Sequence, residues 1–175
     1  MRAFIAFDFS KDLKNQLSII QKLLKDNTER GSWVSIENFH LTLKFLGEID
    51  EKQVASIDSV LKQLASNHTP ITVNLENLGY FNKKDNEYRV MWLGLDGQIG
   101  RLNSIYAELE ESMAHIGFKK ERRSFNPHIT LGRRIKSQVT FDKLKEIIKS
   151  YLDNEFTLDN LVLIKSQAVM GKRIY

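Results

Sequence analysis

Apolar and polar positions along the chain repeat with two periods, one typical of strands and one typical of helices. Residues 2–8 alternate as a strand, and apolar residues then recur at helical spacing from the capping Ser10 to about residue 26. The same periods predict strands at 39–46, 71–78, 88–95, 127–134, 156–165 and near 167–175, helices at 51–66, 98–116 and 140–151, and a polar loop at 82–86. Each half of the chain therefore contains strand, helix, strand, helix and strand in a similar order.

This repeated order predicts an α+β fold with some α/β character and two pseudo-symmetric lobes. We expect central antiparallel sheets flanked by helices, with a cleft between the lobes. The chain has only two prolines and no segment rich in Gly, Ser or Pro, so no linker is indicated. Residues 1–175 are therefore expected to form one domain that contains both lobes.

The composition is that of an ordinary globular protein, with 42% hydrophobic and 27% charged residues. No apolar run approaches the ~20 residues that span a bilayer, and Asp8 follows the first apolar residues too early for a signal peptide. The absence of cysteine excludes disulfides and thiol chemistry and fits a cytoplasmic location. The net charge of +4 is compatible with a polyanionic partner. We expect a cytoplasmic monomer without membrane contacts.

The candidate chemistry lies in a His-x-Thr-Leu string that occurs twice, at 40–43 and at 128–131. Both copies fall in predicted strands, where residues i and i+2 point to the same face. The histidine and the threonine of each copy should then share a face, and if the two strands adjoin, two imidazoles and two hydroxyls line one cleft. No carboxylate or cysteine accompanies them on that face, so a zinc site, which usually needs three or four protein ligands, is not expected.

The extended strings His40–Gly47 and Phe125–Arg133 resemble the two signatures of the 2H phosphoesterase superfamily. Within it, the chain is most similar to the RNA 2′,3′-cyclic phosphodiesterase branch, historically also called 2′-5′ RNA ligase. The similarity covers nearly the whole chain and includes residues 2–6, Trp33, Val34, Ser166, Gly171 and Tyr175. The resemblance implies a duplicated, bilobal fold whose central cleft binds a cyclic phosphate at an RNA end, with no cofactor and no metal.

The resemblance also assigns roles to the four motif residues. His40 is the expected proton donor to the leaving 3′-oxygen, and His128 the expected proton acceptor from water. Thr42 and Thr130 would donate hydrogen bonds to phosphoryl oxygens, and the product would be a 2′-phosphate. Because histidine has an unperturbed pKa of about 6.5, one ring can be neutral while the other is charged. The symmetry of the two strings does not by itself determine which ring is the proton donor and which is the proton acceptor.

Two basic residues near the motifs are candidate substrate-binding residues. Lys44 shares the strand parity of His40, so it could face the cleft, although an ordinary solvated lysine fits equally well. Arg133 is out of phase with His128, so a regular strand would turn it away. Gly132 could permit a bulge that re-aims this arginine, which often accompanies the second motif in the family that the chain resembles.

Other features have both a functional and an ordinary interpretation. The run 119–123 is the densest basic cluster and could contact an RNA backbone or be a solvated loop. Phe39 and Phe45 have the parity of the buried leucines, which predicts that they are core residues. His68 and His115 lie near helix ends, lack the i+2 hydroxyl and are left outside the site. A base-stacking platform could exist among the aromatic residues near the motifs, which are Phe39, Phe45, Tyr80, Phe81 and Phe125.

The leading prediction is metal-independent hydrolysis of RNA 2′,3′-cyclic phosphate ends to 2′-phosphomonoesters by two-histidine acid–base catalysis. One alternative is a phosphodiesterase that acts on small cyclic nucleotide phosphates. Another is an RNA-end-binding module with incidental or reverse 2′-5′ ligation activity. No Gly-rich nucleotide loop or adenylated-lysine motif is apparent, so the only ligation expected is reversal of the hydrolytic reaction.

Overall fold

The computed structural model describes residues 1–169 and 172–175, which form ten strands and four α-helices. The strands are β1 (Arg2–Asp8), β2 (Arg30–Trp33), β3 (His40–Glu48), β4 (Ile71–Lys84), β5 (Glu87–Gly97), β6 (His128–Lys136), β7 (Glu155–Leu158), β8 (Asn160–Lys165), β9 (Gln167–Val169) and β10 (Lys172–Ile174). The helices are α1 (Lys11–Asp26), α2 (Glu51–Asn67), α3 (Ile99–His115) and α4 (Phe141–Ile148). Gly171, one residue of the predicted resemblance, lies outside the described residues.

Two antiparallel sheets carry the two motif strands. One has three strands in the order β3-β1-β8, and the other has five in the order β2-β6-β5-β4-β7. A short separate pair is formed by β9 and β10. The predicted α+β fold with antiparallel sheets is confirmed.

Strands are exchanged between the halves, because the first half contributes β2 and β4 to the five-stranded sheet and the second half contributes β8 to the three-stranded sheet. The strand after the second helix of the first half, β4, pairs with β5, and its counterpart in the second half, β8, pairs with β1. The helices also pack across the halves, α1 against α4 and α2 against α3. Because of this exchange, the buried residues of both sheets belong to one hydrophobic core.

Three of the four α-helices, α1, α2 and α4, begin at side-chain caps. The Ser10 side chain accepts a hydrogen bond from the backbone N–H of Leu13, and Asp50 and Gln53 form a reciprocal capping box at the start of α2. Such caps contribute about 0.5–2 kcal/mol to helix stability. None of the helices among the described residues combines the length and apolarity needed to cross a bilayer.

The structure contains the short strand β2, which was not predicted, and two strands, β9 and β10, where one was predicted near 167–175; two other elements also differ. The predicted loop at 82–86 is mostly strand, since β4 runs to Lys84 and only a two-residue turn separates it from β5. The end of this hairpin is largely exposed, so its strands carry polar residues that resemble a loop in sequence. The predicted strand at 156–165 is two strands, β7 and β8, which pair with different sheets on either side of Asp159.

Candidate active site

The two motif histidines occupy equivalent places in the fold, as the first residues of β3 and β6. Both line one cleft of about 950 Å³, together with Thr42, Thr130 and Arg133. This volume is within the range of ligand-binding clefts, which is about 300–1,000 Å³. The structure therefore brings together the four motif residues and the arginine of the second motif.

Each imidazole is fixed by the carbonyl group of an asparagine two residues earlier. Nδ1 of His40 lies 2.8 Å from the carbonyl oxygen of Asn38, and Nδ1 of His128 lies 2.7 Å from that of Asn126. Since a carbonyl only accepts, each Nδ1 carries a proton and each Nε2 is left for proton transfer. The sequence analysis missed this contact, although an asparagine at the same offset before both histidines was a visible signal.

The two Nε2 atoms have different neighbours. Nε2 of His40 lies 3.0 Å from Oγ1 of Thr42, whereas Nε2 of His128 has no hydrogen-bond partner within the described part of the chain. A neutral His40 accepts the hydroxyl proton of Thr42. A protonated His40 donates to Oγ1 instead, which frees the hydroxyl proton for another acceptor.

A β-bulge follows the threonine in β3. Ala6 of β1 lies opposite Thr42 and Ile5 lies opposite Lys44, so Leu43 is an extra residue in the ladder. One extra residue exchanges the two faces for the rest of the strand. The alternation expected for a regular strand beyond residue 42 is therefore wrong.

The bulge changes the position of two predicted residues of β3. Lys44 is only 6% exposed, and its Nζ lies 2.6 Å from Oε1 of Glu110 in α3. Lys44 lines the cleft, as the sequence suggested, but its ammonium is held in a buried ion pair and is neither free nor solvated. Phe45, predicted to be core, is 72% exposed, whereas Phe39, which precedes the bulge, is buried as predicted.

A β-bulge of the same kind occurs in β6. Trp92 of β5 lies opposite Thr130 and Met91 lies opposite Gly132, so Leu131 is the extra residue. The predicted bulge is present, and it puts Arg133 in phase with His128 and Thr130. The next arginine, Arg134, has a positive φ of 52° and donates to the Ser32 hydroxyl 3.3 Å away.

Burial is the main influence on the pKa of both catalytic candidates, His40 and His128. It lowers the pKa of His40 and of His128 below the ordinary value of 6.5, because a buried ring loses the hydration of its charged form. The carbonyl contacts oppose this effect, and the charge of Arg133 lowers the pKa of both rings further. Asp8 raises and Lys14 lowers the pKa of His40 alone. Arg133 is therefore close enough to act on both imidazoles.

Comparison with known proteins places this fold and site in a family. The model of the 2′-5′ RNA ligase superfamily matches residues 15–169. The chain belongs to this superfamily. The predicted resemblance is therefore confirmed.

Named relatives and a solved structure agree with this assignment. The RNA 2′,3′-cyclic phosphodiesterase of Thermotoga maritima is 42% identical over 137 residues, which are 76% of this chain and 70% of the relative. The RNA 2′,3′-cyclic phosphodiesterase of Methanocaldococcus jannaschii is 34% identical over 181 aligned positions, with 100% of this chain and 96% of the relative covered. The crystal structure of Escherichia coli LigT complexed with 3′-AMP superposes with a TM-score of 0.74 at 25% identity, covering 99% of this chain and 92% of that chain.

In this member of the 2′-5′ RNA ligase superfamily, the buried ion pair also anchors the basic run at 119–123. Nζ of Lys44 donates to the carbonyl oxygen of Lys119 at 2.8 Å, and Oε2 of Glu110 accepts from the backbone N–H of Glu121 at 2.7 Å. Arg123, in the same run, lines the cleft. The pair thus ties a positively charged segment to the edge of the site, a role that the sequence did not indicate for Glu110.

The other two histidines of the superfamily member lie outside the cleft. Nε2 of His68 is 2.6 Å from the carboxylate of Glu108, near a smaller cavity of about 240 Å³. Nδ1 of His115 donates to the carbonyl oxygen of Glu111 at 2.7 Å. The His115 contact lies within the last turn of α3, whereas His68 contacts a side chain of α3 and not the end of its own helix. Within residues 1–169 and 172–175, no three His, Asp or Glu side chains are grouped so as to hold a metal ion.

Proposed function

We propose that this protein opens the 2′,3′-cyclic phosphate at RNA ends and leaves a 2′-phosphomonoester. The observation that carries the proposal is the pair of imidazoles in one cleft with Arg133, each with Nδ1 held by a carbonyl; Nε2 of His128 is open, and Nε2 of His40 contacts only the motif threonine. The relatives from Thermotoga maritima and Methanocaldococcus jannaschii are named for this activity. The LigT complex with 3′-AMP supports a nucleotide-sized ligand for the superfamily cleft.

The reaction needs one base and one acid on opposite sides of phosphorus. Water attacks phosphorus, the bond from phosphorus to the 3′-oxygen breaks, and the leaving oxygen takes up a proton as the attacking water loses one. In-line displacement places the attacking and leaving oxygens at opposite ends of the reaction axis. His128 accepts the water proton at Nε2, and His40 donates the proton from Nε2 to the 3′-oxygen.

The neighbours of the two rings support this division of roles. Asp8 lies opposite His40 in the pairing of β1 with β3, whereas Gly94 lies opposite His128 in the pairing of β5 with β6. Residues opposite each other in an antiparallel pair have Cβ atoms about 4.5–5.5 Å apart. The carboxylate of Asp8 therefore favours the charged form of His40 and not that of His128. A raised pKa keeps more of that ring protonated, as a general acid requires, although Lys14, which is ion-paired with Asp8 at 2.7 Å, opposes part of this effect.

Three further groups stabilise the charge on the phosphoryl oxygens. The hydroxyls of Thr42 and Thr130 share the face of the histidines, and the guanidinium of Arg133 joins them after the bulge. Protonation of His40 frees the hydroxyl proton of Thr42, so the acid form of the ring prepares the threonine to bind the substrate. Donors fixed in advance around developing charge lower the barrier because they need no reorganisation.

The direct test is an RNA oligonucleotide that ends in a 2′,3′-cyclic phosphate, incubated with the protein in EDTA. We expect complete conversion to the 2′-phosphomonoester, identified by phosphorus NMR and chromatography. Loss of turnover on chelation would contradict the metal-independent mechanism. A 3′-phosphate product would contradict the proposed orientation of the ribose.

A small cyclic nucleotide is the alternative substrate. The basic run at 119–123 borders the cleft, which favours a longer polyanion. If several phosphates are bound, kcat/KM for the oligonucleotide falls steeply with salt while that for a mononucleotide changes little. Equal salt dependence would favour the small substrate. Binding that persists in His40→Ala and His128→Ala, with negligible wild-type turnover, would favour an RNA-end-binding module.

A further inference from the structure

Trp92 of β5 lies between the strand of His128 and the strand β4. It is opposite Thr130 in the pairing of β5 with β6 and opposite Gly79 in the pairing of β5 with β4. The centroid of its ring lies 6.0 Å from that of His128. Trp92 does not itself line the cleft, so any effect it has on the reaction must pass through a neighbour.

Gly79 makes room for the indole of Trp92. A Cβ atom at this position would lie 2.2, 2.3 and 2.5 Å from three atoms of the six-membered ring, which is too close for two carbon atoms. Gly79 does not have a positive φ, so the conformation of the backbone does not require a glycine here. The ring requires the space that the missing side chain leaves.

Phe81, two residues after Gly79, completes the aromatic surroundings of the imidazole. Its ring lies 5.1 Å from that of Trp92 and 4.9 Å from that of His128, with an interplanar angle of 90° to the imidazole. The hydrogen bond to the carbonyl of Asn126 fixes one atom of the His128 ring but leaves the ring free to turn about that atom. Contacts with two aromatic rings restrict this rotation and set the direction in which Nε2 points.

The indole is present at a cost in stability. Nε1 of Trp92 is buried and has no hydrogen-bond partner among residues 1–169 and 172–175. A buried donor without an acceptor destabilises the folded state, and buried indoles usually have a partner. Aromatic rings cover glycines of neighbouring strands in designed and natural sheets, but a phenylalanine would do this without the unpaired N–H. Stability alone therefore does not account for the indole.

We infer that Trp92, in the space left by Gly79, is a positioning residue for His128 that holds Nε2 toward the phosphate and keeps water from the covered side of the ring. The inference rests on the proposed function, in which His128 is the base. Displacement of a reacting group by about 1 Å can lower the rate about 10²-fold. His40 packs against Phe4 instead, at 4.8 Å, so a change at Trp92 should act on one imidazole only.

Two variants disturb this contact from opposite sides. Trp92→Leu removes the ring, and Gly79→Ala adds a methyl group where the ring lies. We expect each to lower kcat/KM for the oligonucleotide with a 2′,3′-cyclic phosphate end by about 10- to 100-fold. In NMR titrations of Trp92→Leu, the pKa of His128 should rise towards its ordinary value of 6.5 because the ring gains water, while the pKa of His40 does not change. Phe156→Leu, at an aromatic ring outside the cleft, is the matched control and should change neither quantity.

A double variant separates positioning from a general structural role. Trp92→Leu in the His128→Ala background should cause no further loss, because a residue that acts through His128 has no effect once that ring is gone. If Trp92→Leu does not fold, as checked by circular dichroism, Gly79→Ala in the same background replaces it. A further loss of about 10- to 100-fold in that background would overturn the inference. Unchanged activity of both single variants would overturn it as well.

The titrations also separate this inference from the proposed function. If the wild type did not turn over the oligonucleotide, the proposed function would be wrong, and the pKa of His128 would decide the inference. That pKa must still rise in Trp92→Leu, and an unchanged pKa would refute the positioning role.

Discussion

The two motif strands are the same structure with different neighbours. In both β3 and β6, a histidine opens the strand, its Nδ1 is held by the carbonyl of the asparagine two residues earlier, a threonine follows at i+2 and a one-residue bulge comes next. Up to the bulge, the two strands share this arrangement, except that only Nε2 of His40 contacts the threonine of its own strand. A duplicated frame therefore accounts for how two imidazoles come to line one cleft.

The differences begin at the residues around this frame. Asp8 faces His40 where Gly94 faces His128, and Phe45 occupies the place that Arg133 has in the other strand. One half is acidic and aromatic, and the other half carries the guanidinium. The comparison indicates that the repeated frame accounts for the two rings, and the proposed division into acid and base depends on the neighbours that differ between the strands.

Removing either ring should have the largest effect on activity. We expect His40→Ala and His128→Ala each to lower kcat/KM by about 10²–10⁴-fold, since each proton transfer typically contributes that factor. His115→Ala, at a histidine outside the cleft, is the matched control and should retain full activity. If only one of the two motif variants lost activity, the equivalence of the two strands would not extend to catalysis. Circular dichroism checks that all three variants fold.

The next difference between the strands concerns Lys44, which stands where β6 has Gly132. Lys44→Ala should lower the free energy of unfolding by about 3–5 kcal/mol, because it leaves the carboxylate of Glu110 buried and unpaired. Lys44→Met combined with Glu110→Leu should recover most of that loss. Lys62→Ala, which breaks an exposed ion pair with Asp58, should cost less than about 1 kcal/mol in the same urea titrations. Equal losses for Lys44→Ala and Lys62→Ala would contradict the buried pairing.

The two neighbouring arginines of β6 test the effect of the bulge. Arg133→Gln should lower kcat/KM by about 10- to 150-fold, the value of a charge-assisted hydrogen bond of about 1.5–3 kcal/mol. Because Arg133 lowers the pKa of both rings, its removal should also raise both, which NMR titration of the imidazoles measures. Arg134→Gln is the control and should change neither quantity. Similar effects from both arginines would mean that the bulge does not select Arg133.

The smallest expected effect comes from the acidic neighbour of His40. Asp8 raises the pKa of His40, so Asp8→Asn should lower that pKa further and leave the pKa of His128 unchanged. Above both pKa values, kcat/KM should then fall about 2- to 5-fold, because less His40 is protonated. Below both values it should not change, since there the neutral fraction of His128 is limiting. Asp26→Asn, at another carboxylate paired with a lysine, is the control.

The regular helices and strands could be predicted from the sequence because the period of the apolar residues and the helix-capping residues determine them. The helix begun by Ser10 and the alternation that puts Thr42 on the face of His40 both depend only on neighbouring residues. The bulge at Leu43 could not be predicted from alternation, which assumes that no residue is inserted. That single residue accounts for the exposure of Phe45, which alternation predicted to be buried, whereas Gly132 gave a hint of the matching bulge in β6.

Contacts between residues that are far apart in the sequence could not be predicted either. Asp8 meets His40 only through the pairing of β1 with β3, and Glu110 meets Lys44 only when α3 packs on β3. Their partners are 32 and 66 residues away in the chain, and no local pattern marks either contact. The carbonyl of Asn38 is a different case, because its offset from His40 is repeated at Asn126 and was readable in the sequence.

The division of roles between the two rings can be measured with a substrate whose leaving group needs no acid. In adenosine 2′,3′-cyclic phosphate with sulfur in place of the 3′-oxygen, a thiolate leaves, and thiols have a pKa near 8.5, far below that of a ribose hydroxyl. We predict that sulfur restores most of the kcat/KM lost in His40→Ala and none of that lost in His128→Ala. Rescue of His128→Ala instead, or of both variants equally, would contradict the account.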